Sequence, residues 1–161
     1  MSQAIENNNN NGLQLDSVFI RALQQDATLM AAIGSRLYGT AIPLPDEDVD
    51  NVPVPYVIVT FDGLTNEGLT KDDSFEGMQD AVTIGVTVVA GTLEALHGLT
   101  SQVRDVISAY MAAYEGTDGP VDYQFSAGRI EYDSVKPCYW QGLTYQCSVY
   151  REGATGSDRE S

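Results

Sequence analysis

The chain is poor in the side chains on which catalysis and metal binding draw. Its 161 residues include one histidine, His97, and two cysteines, Cys138 and Cys147. His97 falls in a stretch of helical period with no serine or cysteine placed to partner it, so a catalytic triad fails on inventory. No Cys-x-x-Cys pair and no Cys/His cluster is present, which removes the usual structural zinc site. Cys138 and Cys147 would face each other across a hairpin turning at Gly142-Leu143, and a bridge there needs Cα atoms within about 7 Å. Two reduced thiols in a strand pair is the plainer reading.

Basic residues are equally scarce. Eight Lys and Arg stand against 23 Asp and Glu, a net charge of −15. Gripping a phosphate backbone needs clustered Lys and Arg, so broad electrostatic binding of nucleic acid is excluded and basic partner surfaces are favoured. No apolar run is long enough to span a bilayer. Met1 to Gly12 is polar with five consecutive Asn, which does not read as a signal peptide and gives an expectation of cytosolic synthesis. Gly63-Leu64-Thr65-Asn66-Glu67-Gly68 lacks the Lys-Ser/Thr ending of a phosphate-binding loop.

What the chain does have is scaffold. From Asp80 to Ala90, Val82, Ile84, Val86 and Val88 alternate with Thr83, Gly85 and Thr87, which marks a strand with one buried face. The period then changes: Leu93, Leu96, Leu99 or Thr100, Val103, Val106 or Ile107, and Tyr110 recur every three or four residues. This predicts an amphipathic helix running to about Tyr114, with Thr92 as N-cap. Upstream, Leu15, Val18, Phe19, Ala22 and Leu23 predict a first helix. Asp26 caps a second, Ala27 to Ile33, which Gly34 ends.

Residues 39 to 55 hold Pro43, Pro45, Pro53 and Pro55 and read as a long acidic loop. Tyr56 to Phe61 reads as an apolar strand covered on both faces, 62 to 78 as a polar excursion, and Glu115 to Pro120 as a break. Closing strands are expected at about Ala127 to Val135 and Leu143 to Glu152. The predicted organisation is an Asn-rich tail without order (1–12), one domain (13–152) and a frayed end (153–161). The element order α, (α), β, β, α, β, β predicts an α+β fold in which helices cover one face of a largely antiparallel four-stranded sheet.

Two acidic clusters stand out, Asp46, Glu47, Asp48 and Asp50, and Asp72, Asp73 and Glu76. Neither has EF-hand spacing, so each is read as solvated loop before partner surface, and as partner surface before metal site. Lys71 and Arg104 are isolated cations, and Arg104-Asp105 reads as a solvated helix face. Tyr132, Tyr139, Trp140, Tyr145 and Tyr150 crowd the closing strands. Only Arg129, Lys136 and Arg151 lie near them, too few for a base-stacking groove. Core packing plus a protein interface fits better, with Tyr139, Trp140 and Tyr145 as the candidate contacts.

Several of these segments together resemble the tail-terminator (tail-completion) proteins of long-tailed bacteriophages. The likeness runs from Phe19-Ile20-Arg21-Ala22-Leu23 through Leu29 to Ile33-Gly34-Ser35-Arg36-Leu37-Tyr38, a helix pair leading into "Gly, any, Arg, apolar, Tyr". It continues through the proline-rich loop to Val54-Pro55-Tyr56-Val57-Ile58-Val59. The Asp80 strand, Val103-Arg104-Asp105-Val106-Ile107 and the closing strands complete it over about residues 13 to 152. The acidic tract at Asp46 to Asp50 and the excursion from Asp62 to Gln79 are longer than that family's minimum.

The resemblance implies a non-enzymatic virion protein of the tail or neck, assembled in the host bacterial cytoplasm, without cofactor or metal. It would form a hexameric ring that caps the head-proximal end of the tail tube, ends its polymerisation and offers a surface to the head connector. DNA would pass through without specific binding, and no membrane is involved. The candidate interface or lumen residues are the two acidic clusters, Arg104, Tyr139, Trp140 and Tyr145. The alternatives are a head–tail connector or neck adaptor, a small acidic enzyme or ligand-binding domain with a pocket under the 39–55 loop, and a DNA mimic.

Overall fold

A computed structural model describes residues 12–39, 53–67, 79–113 and 122–150. A single 3₁₀ turn, Gly12–Gln14, leads into helix α1, Leu15–Gln24, and helix α2, Ala27–Ala32. Strands β1 (Leu37–Tyr38), β2 (Tyr56–Glu67) and β3 (Gln79–Ala90) follow, then helix α3 (Leu93–Ala113). Strands β4 (Asp122–Ala127), β5 (Glu131–Asp133) and β6 (Cys138–Tyr150) complete the described chain.

Helix starts follow the sequence. Asp26 Oδ1 accepts the Leu29 N–H at 2.9 Å and Thr92 Oγ1 accepts that of Ala95 at 3.0 Å, so both expected caps are made. The end of α2 is equally local. The Ser35 N–H donates to Met30 O at 2.8 Å and the Gly34 N–H to Ala31 O at 3.2 Å, with Gly34 at φ +60°. That is a Schellman closure, and a Cβ at Gly34 would also lie 2.7 Å from the Arg36 guanidinium.

This turn aims the chain at the start of β2. It delivers Arg36 Nε to Pro55 O at 3.1 Å, after which Leu37 and Tyr38 pair in parallel with Val57 and Ile58. Leu37 is buried and the Tyr38 ring meets Tyr56 edge-on at 6.0 Å.

The sheet corrects the sequence expectation. It has six strands in the order β1-β2-β3-β6-β4, with β5 also on β6, and one parallel pair among antiparallel ones. β2 does not stop at Phe61. It bulges there and continues to Glu67, because β3 supplies partners from Ile84 back to Gln79. Its two faces also differ: Val57 and Val59 are fully buried, whereas Tyr56 and Ile58 are only half-covered.

No turn exists at Gly142-Leu143, since β6 runs unbroken through both. Cys138 and Cys147 lie on that one strand, about 30 Å apart at some 3.3 Å per residue, which rules out the bridge considered above. The real turn lies between β5 and β6. The expected strand at Ala127 to Val135 is instead β4 and β5, both on the same edge of β6, separated at Gly128 to Ile130. Three residues there oppose two on β6, a bulge fixed by Gly128 N–H donating to Gly142 O at 2.8 Å.

Helices α1 and α3 pack on one face of the sheet, and α2 packs against both of them. From α1 that face receives Leu15, Val18, Phe19, Ala22 and Leu23, and from α3 Leu96, Leu99, Val103 and Ile107. They meet Val82, Ile84, Val86 and Val88 of β3 and Leu143, Tyr145, Cys147 and Val149 of β6. Leu93, placed on the apolar stripe by periodicity, is 42% exposed, because it precedes the first turn that reaches the sheet.

Candidate functional site

The opposite face of the sheet carries no described helix, and it is the natural candidate surface. Strand register sorts it into rows. At one end stand Tyr56, Val89 and Trp140, then Ile58, Thr87 and Gly142, then Thr60, Gly85, Thr144 and Ser126. Beyond these come Gly63, Thr83, Gln146 and Gln124, and finally Thr65, Ala81, Ser148 and Asp122. One end is aromatic, and the rest is a lattice of threonine, glycine, serine and glutamine.

At the aromatic end a concavity of about 320 Å³ is lined by Tyr56, Ile58, Thr87, Val89, Cys138 and Trp140, with Asp133 and Lys136 on the turn beside it. Trp140 is 39% exposed there, and the Lys136 ammonium lies 5.7 Å from the Tyr56 ring centroid. This is an amphipathic patch of the kind that anchors protein contacts.

At the other end a second hollow, of about 450 Å³, lies among Thr65, Thr83, Asp122, Gln124, Gln146 and Ser148. Its one carboxylate, Asp122, accepts the neighbouring Tyr123 N–H at 2.7 Å. The nearby Cys147 thiol is pushed up to about 12, first by burial and then by Asp122. Burial and the neighbouring carboxylate both favour the thiol over the thiolate that nucleophilic chemistry needs. Among the described residues no group of three or more His, Cys, Asp or Glu is gathered to hold a metal.

At the bulge between these ends, Thr60 Oγ1 donates to Asp62 Oδ1 at 2.8 Å, and the Asp62 carboxylate lies over Gly85. A Cβ at Gly85 would stand 2.5 Å from Asp62 Oδ2 and 2.7 Å from Thr60 Oγ1, so glycine there makes room for the bulged carboxylate.

The residues singled out from sequence are scattered. Asp46, Glu47, Asp48, Asp50, Asp72, Asp73 and Glu76 lie outside the described residues. The described chain stops at Gly39, where a Cβ would lie 3.2 Å from Val59 O, and resumes at Pro53; it stops again at Glu67 and resumes at Gln79, its partner across β2 and β3. Tyr145 is fully buried, with Phe19 and Phe125 each at 5.1 Å and Tyr123 at 5.9 Å between ring centroids. Tyr139 is half-buried on the helix side and stacks at 4.8 Å against Tyr132 on the β5 edge. Of that trio only Trp140 presents its ring to the open face.

Arg104 is exposed on α3, as expected, but its guanidinium sits 4.2 Å over the Phe125 ring. This contact ties α3 to β4 and is worth on the order of 0.5–1 kcal/mol at an exposed site. Sequence reasoning missed Tyr56 and Lys136 as neighbours of Trp140. The signal available was the Tyr56-x-Ile58 alternation, which puts both on one face.

No family model matches the sequence, and no curated protein matches it. Among solved structures the chain is similar to one in the virion of the native gene transfer agent particle, at 14% identity and a TM-score of 0.53. The likeness covers 84% of this chain and 94% of that one, and at this identity it is a likeness of fold.

Proposed function

We propose that this protein is a structural component of a phage-like virion, and within it a tail terminator. Copies close into a ring, with a hexamer as the expected form, on the head-proximal end of the tail tube. There they end its growth and offer the joining surface for the head connector. The observation that carries this reading is the fold, similar over nearly the whole of both chains to a component of the gene transfer agent virion. The sequence likeness over about residues 13 to 152 adds the finer assignment, and its helix-pair and Pro-Tyr segments come together in the docking of β1 on β2.

The physical logic is one of closure. A tube built by head-to-tail stacking is open-ended, and only a different subunit matching one end can stop it. A net charge of −15 suits a ring through which a duplex slides, since acidic walls repel phosphate and offer it no binding site.

The test is to add the purified protein to its own phage's tail-tube protein during polymerisation. Termination predicts shortened tubes of narrow length distribution, each carrying a ring at one end only. Tubes of unchanged length, with the protein bound instead to purified connector, would assign it to the neck. Binding to neither would refute both.

A further inference from the structure

Among the described residues the sheet ends in two edges that lack a strand partner over part or all of their length, and their geometry is complementary. On one side β1 pairs only with Val57 and Ile58, and among the described residues nothing pairs with the outer edge of β2 from Thr60 to Glu67. On the other side the outer edge of β4, Asp122–Ala127, closes the strand order, likewise without a described partner. Successive registers bring the two edges to the same height. Asp122 pairs with Ser148, Ser148 with Ala81 and Ala81 with Thr65, while Ala127 leads through Leu143 and Val86 to Val59. The β4 edge therefore spans the level at which the cover supplied by β1 has ended.

Polarity matches as well. β2, β3, β6 and β4 are joined by three antiparallel pairings, so β2 and β4 run in opposite directions. The β4 edge of one copy laid beside the β2 edge of the next continues the sheet in antiparallel sense. The same operation can then be repeated from copy to copy, which is a heterologous contact able to close into a ring.

We infer that copies of this chain join by antiparallel pairing of the β4 edge of one with the β2 edge of its neighbour, the pairing running over Gln124–Ala127. Tyr123 is left out because Asp122 Oδ1 already takes its N–H. Proteins that stay apart protect open edges with lysine, proline or inward charge. Neither 122–127 nor 59–67 contains a lysine or a proline. Main-chain hydrogen bonding is also a contact that carries no net charge, which suits association between copies that each bear −15.

This inference rests on the ring reading, and cross-linking separates the two. Gln124→Cys on β4 is combined in turn with Thr60→Cys and Thr65→Cys on β2, in the full chain under mild oxidation. Edge pairing predicts a ladder of multimers on a non-reducing denaturing gel from at least one double variant and none from the single variants. Dimers from Gln124→Cys alone would mean that β4 pairs with β4, and would overturn the head-to-tail contact.

As a second check, Gln124→Lys with Ser126→Lys should reduce the native mass to that of a monomer while a cooperative melt is retained. Rings that survive this substitution, with no ladder from either double variant, would overturn the edge contact and leave the ring reading standing. Wild-type protein that neither assembles nor cross-links would overturn both.

Discussion

The two faces of β3 differ more than any two separate regions of the molecule. Val82, Ile84, Val86 and Val88 are buried under α1 and α3, whereas Ala81, Thr83 and Thr87 on the same strand stay half-covered. The covered face is made of large apolar side chains whose removal from water stabilises the fold by about 1.5–3 kcal/mol each. Beyond its aromatic row the open face carries mostly small, uncharged side chains. Between its aromatic row and its far corner, the ionisable side chains in register are Asp62 at the bulge and Asp122 at the end. One face specifies the fold, and the other carries no described helix.

The largest effect should come from violating the covered face. Val86 is fully buried, and Val86→Asp would place an unpaired charge there, costing more than about 4 kcal/mol. Loss of the cooperative melt is expected, and a melt near the parent's would contradict the face assignment.

Alkaline pH attacks the same face. Burial raises the Cys147 thiol from 9.0 to about 12, and burial also raises the Tyr145 phenol. Both stay protonated in the fold at pH values where the unfolded chain has released its protons. Stability should therefore hold up to about pH 9 and then fall, by up to about 1.4 kcal/mol per pH unit for each group. Denaturant melts from pH 7 to 11 would measure it, and Cys147→Ala should make the loss shallower.

A smaller change sharpens the comparison. Among the described residues the buried Tyr145 hydroxyl has no hydrogen-bond partner, so Tyr145→Phe should raise stability by about 1 kcal/mol, read from the denaturant midpoint. The smallest effect belongs to the open face. Thr87→Asp, one residue from Val86, should cost no more than about 1 kcal/mol, because the side chain meets water and strand preference alone opposes it. If Val86→Asp and Thr87→Asp proved equally damaging, the open face would be covered by something else.

What the sequence displayed was whatever is encoded locally. The alternation of β3, the stripe of α1, the caps Asp26 and Thr92, and the left-handed turn at Gly34 each depend on residues within a few positions. The sheet order does not. β6 inserts between β3 and β4, a choice made by partners dozens of residues away. Gly142 reads as a turn, yet it sits mid-strand, where a Cβ would meet nothing within 4 Å, so no steric demand marks it. The Phe61 to Glu67 extension of β2 is polar and becomes strand only because β3 lies beside it. Tyr123 and Phe125 did carry a period-two signal, masked by the turn-rich stretch before them.

The candidate surface was legible to the same extent. Trp140 stands out by type, but its neighbours Tyr56 and Lys136 come from other segments. Tyr145 looks the same as Trp140 in sequence and sits on the opposite side of β6 by parity alone.

Self-closure into a ring is tested most directly by the native mass of the purified protein. Light scattering coupled to size exclusion, with negative-stain images of the same fractions, should give a mass near six times 17.4 kDa and rings with a central hole. A monomer, or a compact two-fold dimer without a hole, would contradict it.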